Sequence, residues 1–456
     1  MLVAATAFQS LLVPLDADVS WLITVCEAVL AGKRLYVDIV EVNPPASVWL
    51  YLPWVGLAEL LGMRPEPVIA AAVCSGALLS VRATLSLTAR LPRPPRPDAV
   101  VAVAAFAGLI LPGGLFAQRE HIAILLALPT LAAIALVVER GRLPRRTAML
   151  AGIGAGLLIC IKPHLALAVL LPACWATWRL RSPRPLLPSL LVAVAVVLLY
   201  GAAALLFARD YLALLPMLSD TYLPMHAPWL HFLLSSLLTV PAVLALAVAV
   251  LRPRLDNGLA LAWLLGGLGF ALAGLLQWKV YANHSLPGVA LTLSATAILL
   301  FNDRLDSSRR RLVSIGVGAL AAALALQTST ILPQPGLAEA IGRVAPAKPK
   351  VITLGYQLVT GHPAVRHVDG QWVGRRAALF TAAGASFVGL DQPRARRWYD
   401  EDLALFAADV RRSRPDIVLV ESRARQRLLK ESIVRSVMRG YEPATRAGDI
   451  EVWRRR

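Results

Sequence analysis

The chain has 456 residues, 57% of them hydrophobic and 16% charged, and a mean hydropathy of +0.63. That is too apolar for a water-soluble protein of this length. The formal net charge of +18 would fit a nucleic-acid binder, but the arginines sit beside apolar runs and no nucleic-acid-binding motif is present, so membrane topology and anionic lipid headgroups account for them better.

Taken in chain order, the apolar stretches bounded by charge predict about eleven membrane helices. Residues 1–15 would be a first span, although 15 residues make a helix of only roughly 22 Å against about 30 Å of hydrocarbon. The stretch lacks the basic start of a signal peptide, so the expectation is a span clipped at its beginning. Residues 16–66 form a long loop in which Ser47–Leu61 reads as helix lying in the interface. Further spans are expected near 67–89, 99–112, 121–138, 148–161, 165–178, 188–208, 229–251, 257–276, 285–301 and 312–331. The predicted organisation is a transmembrane domain over 1–332, a linker over 333–349 marked by Pro333, Pro335, Pro346 and Pro349, and a small soluble α/β domain over 350–456. In that domain Val351–Gly355, Asp416–Glu421 and Ile450–Trp453 read as strands and Glu401–Arg412 as an amphipathic helix. The four cysteines, Cys26, Cys74, Cys160 and Cys174, form no CxxC pair and read as small buried hydrophobes, not as a disulfide or zinc framework.

The loops alternate in charge. Sixteen basic residues fall in one set: Arg90, Arg93 and Arg96, then the clusters at 140–146, 179–184, 252–254 and 304–311; only seven fall in the other. By the positive-inside bias the first set is cytoplasmic. The N-terminus is then cytoplasmic and the C-terminal domain extracytoplasmic, which is periplasmic if the host is Gram-negative.

The unusual polar residues gather on the outer side. Asp16 and Asp18 follow the first span; each is either a carboxylate that ends a helix at the interface or a catalytic base for a sugar hydroxyl. Glu41 precedes Asn43 and the Pro44–Pro45 pair, which holds the backbone extended; the bland reading is a solvated loop acid. Arg119, Glu120 and His121 enter an apolar helix together, and ionisable groups at membrane depth are costly and tend to be functional. An Arg–Glu pair could orient a substrate or hold a phosphate. Lys162 and His164 interrupt two apolar runs, and Lys279 and His284 flank another; each lysine either snorkels or meets a lipid phosphate as a compact cation. His226 and His231 lie in a loop rich in Pro and aromatics and read as ordinary loop residues. Cations drawn from separate loops, opposite one or two carboxylates, suit departure of a lipid phosphate and attack by a hydroxyl.

The segment DVSWLITVCEAVLAGKRLYVDIVEVNPPASVWLYLP resembles the first loop of GT-C glycosyltransferases of the protein-mannosyltransferase and aminoarabinose-transferase type, in the bacterial group that includes the rhizobial galacturonosyltransferases. Asp18 falls on that family's catalytic acid, Gly32 on its glycine and Pro44–Pro45 on its proline pair; the usual lysine of its KPP triplet is Asn43 here. The resemblance implies an all-α polytopic GT-C fold with a C-terminal extracytoplasmic domain, in the bacterial inner membrane. It implies a polyprenyl-phosphate-linked sugar as donor, a glycan, lipid or protein as acceptor, and inversion at the anomeric carbon. Asp18 would be the base, with Asp16 as fallback and Glu120 positioning acceptor or cation. Arg119, Lys162, His164, Lys279 and His284 would receive the donor phosphate; Glu41, Asn43 and His121 would serve the acceptor or the loop. No cofactor is expected: a divalent cation is used in some relatives but not in the most similar. The chain has no Walker loop and no strand-linked GxGxxG, in keeping with a donor that is not a nucleotide sugar.

The alternative of another class is a transporter or flippase of lipid-linked saccharides. It would line a path through both leaflets, whereas the cytoplasmic side offers loop arginines and Arg82 within a span. An O-antigen-ligase-like transferase should carry its large outer loop in mid-chain, not a C-terminal domain.

Overall fold

The computed structural model describes residues 15–251, 257–302, 307–329 and 334–456. The expected first span lies outside them except for Leu15. Each of the other ten expected spans has a helix in its place. Among the described residues six helices are long and apolar enough to cross a membrane: Pro65–Thr88, Arg119–Arg140, Arg184–Phe207, Gly258–Gln277, Ala282–Phe301 and Arg311–Ser329. The others are shorter or interrupted, as at Pro97–Ala105, which runs into a π-helical turn over Phe106–Ile110, and at Trp229–Leu233, which breaks before Ser236–Leu251.

The chain forms two compact units that cut across sequence order. Among the described residues one comprises Ile69–Leu205 and 226–329; the other comprises 15–68, Leu206–Met225 and 334–456. The linear division at 332 therefore meets a different grouping, in which the loop 16–66 packs with the C-terminal segment.

The helical unit is centred on Gly258–Gln277, which packs against Ala282–Asn302, Leu167–Leu180 and Arg119–Arg140. Close approach needs small residues in the absence of a strong hydrophobic drive between helices in lipid. Gly269 shows the need: a Cβ there would lie 2.3 Å from the Leu167 carbonyl oxygen. The Arg119–Arg140 helix is buried along most of its length, whereas Leu187–Phe207 leaves Leu191, Leu198, Leu199 and Leu206 exposed. An apolar helix exposed in this way fits lipid contact, since its backbone groups are satisfied within the helix.

The second unit holds a five-stranded sheet in the order β2-β1-β3-β5-β4. β1 (Lys350–Leu354), β2 (Gln371–Trp372) and β3 (Ile417–Glu421) are parallel; β5 (Ile450–Arg455) runs antiparallel to β3 and to β4 (Tyr441–Ala447). β3 is buried throughout and β1 after its first residue, which is why both read as unbroken apolar runs. The Pro393–Ser413 helix lays Tyr399, Leu403, Phe406 and Val410 into the same core.

The loop 16–66 joins this unit through side chains. Trp21, on the Ala17–Leu30 helix, lies 5.3 Å from the His362 ring and 6.1 Å from Trp372. Arg366 makes two bonds to Glu27, of 2.7 and 2.9 Å, and one of 2.9 Å to Glu66. Ser47–Leu61 is helical over Ala46–Trp49 and Leu52–Leu60.

Candidate functional site

In the helical unit three separate helices deliver ionisable groups to one buried place. Pro163 disfavours helical backbone in the residue before it, and Lys162 accordingly turns extended at φ −152° and ψ 121°, ending the Arg145–Ile161 helix. Lys162 Nζ donates to Glu120 Oε1 at 2.5 Å and lies 3.4 Å from His284 Nε2. Glu120 sits in the first turn of Arg119–Arg140, where a carboxylate suits the helix dipole. His284 lies at the start of Ala282–Asn302, its Nε2 3.8 Å from Glu120 Oε1. Among the described residues Glu120 Oε2 and His284 Nδ1 have no hydrogen-bond partner. Buried polar atoms are normally satisfied, so both are places where a ligand group could bond.

Further polar residues surround this pair. Arg119 is only 4% exposed, and its charge acts on Glu120. Lys279 follows Trp278, which takes left-handed backbone at φ 50°. Trp278 is fixed by stacking on Phe232 at 4.7 Å and by donating to the Ala227 carbonyl at 3.0 Å. Burial, aided by repulsion from Lys162, brings the Lys279 ammonium down to about 7. Burial and the same lysine lower His164 to about 4, so its imidazole is neutral; it bonds Gln277. Asn283 donates to Gln118 at 3.1 Å. The arrangement is one carboxylate with Arg119, Lys162 and a titratable Lys279, a net positive cluster suited to an anion. Glu120 and His284 are two metal-ligating groups; among the described residues no set of three is placed to hold a metal.

His121 is not oriented as these are. Its Nδ1 accepts from the Ala117 amide at 3.0 Å and its Nε2 lies 2.9 Å from the Gly108 carbonyl. Both ring nitrogens are engaged by backbone, so its role there is to hold the turn ahead of its helix. His226 and His231 are exposed.

The other expected residues belong to the second unit. Asp16 is the N-cap of Ala17–Leu30: its Oδ1 accepts from the amides of Asp18 at 2.8 Å and Val19 at 3.1 Å. Asp18 is half-buried in the first turn of that helix. Glu41 is not a solvated loop acid; it is 2% exposed. Its Oε2 accepts from Trp21 Nε1 at 2.6 Å, and its Oε1 from the Asn43 amide at 2.9 Å and from the Asn43 side chain. Tyr36 donates to the Asn43 carbonyl at 2.9 Å. Glu41 and Asn43 thus pin the loop before Pro44. The sequence reading also missed His362, Arg366 and the buried Arg376–Asp402 pair at 2.5 Å. Each has a partner at least 26 positions away, so no local pattern marks it.

No family model and no curated protein matches this sequence. Among solved structures, ArnT from Cupriavidus metallidurans bound to undecaprenyl phosphate is similar over 99% of this chain and 96% of that one, with TM-score 0.58 and 13% identity. The apo state of the same enzyme gives TM-score 0.54 over the same shares, also at 13% identity. The chain has the GT-C fold. At this identity the likeness speaks of fold, and the chemistry has to be argued from the side chains.

Proposed function

We propose that this chain is a membrane glycosyltransferase that moves a sugar from a polyprenyl-phosphate donor to an extracytoplasmic acceptor. The observation that carries the reading is the buried, net positive cluster of Arg119, Glu120, Lys162 and His284 in the helical unit of a GT-C fold. Buried charges are costly to a fold, and those held at membrane depth tend to serve binding or chemistry. A structural neighbour holds undecaprenyl phosphate, and a sugar joined to a polyprenyl phosphate as a phosphodiester, whose leaving group is a phosphomonoester of higher negative charge, is the kind of anion that three cations would suit.

In the proposed step the acceptor hydroxyl oxygen attacks the anomeric carbon. The bond from that carbon to the phosphate oxygen breaks, and both electrons leave with the polyprenyl phosphate. Arg119, Lys162 and protonated Lys279 stabilise the charge that develops on the leaving group. Asp18 takes the acceptor proton, and attack opposite the leaving group inverts the anomeric centre. Asp16, engaged as a helix cap, makes a poor second base. The arginine alternation of the loops supports placing the C-terminal unit outside a bacterial inner membrane, with the N-terminus cytoplasmic.

The test is Asp18→Asn and Glu120→Gln in a deletion strain, read by mass spectrometry of envelope glycans, lipids and glycoproteins. Both variants, compared with the parent at matched membrane level, should fail to restore the product that the parent makes. Full restoration by Asp18→Asn removes it as base; full restoration by both removes the transferase reading.

A further inference from the structure

The four residues that join Gly258–Gln277 to Ala282–Asn302 sort against expectation. Trp278, Val280 and Tyr281 are exposed, while Lys279 between them is only 5% exposed. A lysine at a membrane surface can snorkel to water at little cost, and one that is buried instead needs something to hold it there. The backbone does the turning. Had the helix continued, Lys279 would share a face with Leu272, Leu275 and Leu276, and Leu276 is an exposed apolar side chain. Trp278 breaks that course with left-handed backbone at φ 50° and ψ 39°, and Lys279 lies near enough to Lys162 to feel its charge.

Left-handed backbone is strained for a bulky residue, and glycine is the ordinary choice at a helix end; Gly141 fills that place after Arg119–Arg140. Trp278 is kept there by three contacts from one neighbouring segment. Its Nε1 donates to the Ala227 carbonyl and its own carbonyl accepts from the Ala227 amide, both at 3.0 Å. Its ring lies within 3° of parallel to that of Phe232, with centroids 4.7 Å apart. Phe232 is itself buried with Leu237 and Ala271. Two hydrogen bonds and a ring stack, on a residue that local preference would replace, point to a bend kept for function.

We infer that Trp278 is a positioning residue for the lipid phosphate: locked to Ala227 and Phe232, it holds the bend that turns Lys279 into the cation cluster. The phosphate rests on the transferase reading; the hold on Lys279 does not. The indole acts only through Lys279. Released from the bend, the lysine would return to water, where an ammonium titrates near its ordinary value of about 10 and not at about 7, and it would no longer be aimed at the anion.

The experiment uses the full chain in nanodiscs with radiolabelled undecaprenyl phosphate as probe, at about pH 6 and about pH 8.5, below and above the Lys279 midpoint. Trp278→Gly suits the left-handed backbone but loses the stack and the Nε1 bond. It should bind about tenfold more weakly than the parent at the lower pH, the loss of one charge-assisted hydrogen bond. At the higher pH, where the parent lysine is neutral, the two should agree within about twofold. Ionisation of the lipid phosphate is common to both proteins and cancels in this ratio. Trp278→Phe keeps the stack and should lose about threefold at the lower pH. Competitive acetylation of lysines across pH, read by mass spectrometry, reports Lys279 without any lipid; its midpoint should rise by about one unit or more in Trp278→Gly. A parental midpoint in Trp278→Gly, parental binding in both variants, or the same ratio at both pH values overturns the inference. A raised midpoint beside a parent that neither binds the lipid nor transfers sugar upholds the hold on Lys279 and sinks the transferase reading instead.

Discussion

Lys162→Met tests the core of the proposed site most directly. The Lys162 and Glu120 side chains are 10% and 2% exposed and 2.5 Å apart. Methionine keeps the unbranched stem and removes only the cation. Glu120 then loses the partner of Oε1 while Oε2 already lacks one among the described residues. Breaking a buried ion pair from one side costs about 3–5 kcal/mol where the remaining charge is left uncompensated; Arg119 still acts on Glu120, so the loss falls at the lower end. Lys162→Met/Glu120→Gln removes both charges and should recover most of that loss, giving a coupling of about 2 kcal/mol or more between the two positions. Unfolding in nanodiscs with increasing SDS measures the stabilities, and transfer of labelled sugar measures function. Neither variant should transfer sugar, although the double variant is close to parental stability. A single variant as stable as the parent, with the double variant equal to the sum of the singles, would falsify the claim that the two groups form a charged pair in the folded protein.

Asp16→Ala should cost about 0.5–2 kcal/mol through loss of the helix cap, whereas Asp16→Asn, which can still cap, should keep both stability and transfer; unfolding curves and product analysis check both. Loss of transfer in the Asn variant at parental stability would give Asp16 a chemical role. Lys279 is cationic below about 7 and neutral above it, so the KM for donor should rise as pH increases through that value. Lys279→Arg stays charged and should flatten the profile; a parental profile that is already flat there assigns phosphate binding to Arg119 and Lys162 alone. A periplasm-active reporter fused after Arg456 should be active, and one active only in the cytoplasm would reverse the orientation taken from the arginine loops.

The helices were legible because apolar runs ended by arginines report length directly, and a run such as 121–138 leaves one solution in lipid. The packing that shapes them was less so. Gly269 reads as one small residue among many in an Ala/Leu-rich stretch, yet it sets how near the Leu167 backbone can come. β1 and β3 were legible as buried apolar runs, while β4 was not: YEPATRA is largely exposed, carries a proline and lies at the sheet edge. In the site, Glu120 and Lys162 could be picked out because charge at the lip of an apolar helix is conspicuous. Their mutual contact spans 42 positions and has no local signature. Glu41 looked like a loop acid because its partner Trp21 lies 20 residues away. His121 looked equivalent to Arg119 and Glu120, but helical rotation takes its ring to the Gly108 carbonyl.

Arg119 offers a way to separate binding from stability. It occupies the first position of the Arg119–Arg140 helix and is 4% exposed. A cation there opposes the positive end of the helix dipole and bears a desolvation cost that leucine would not. Its attraction to Glu120 offsets part of this, but Lys162 already supplies a closer charge to that carboxylate. A residue retained against local preference is expected where function demands it. Arg119→Leu should therefore unfold at or above the parental midpoint in the SDS titration, since Glu120 keeps Lys162. The same variant should bind undecaprenyl phosphate at least about tenfold more weakly, the loss expected for one charge-assisted hydrogen bond to phosphate. If Arg119→Leu is instead destabilised by more than about 2 kcal/mol and retains parental affinity for the lipid phosphate, Arg119 belongs to the scaffold. The phosphate would then have to be held by Lys162 and Lys279 alone, and transfer should become steeply pH-dependent near neutrality because only one of those two cations would remain above about 7.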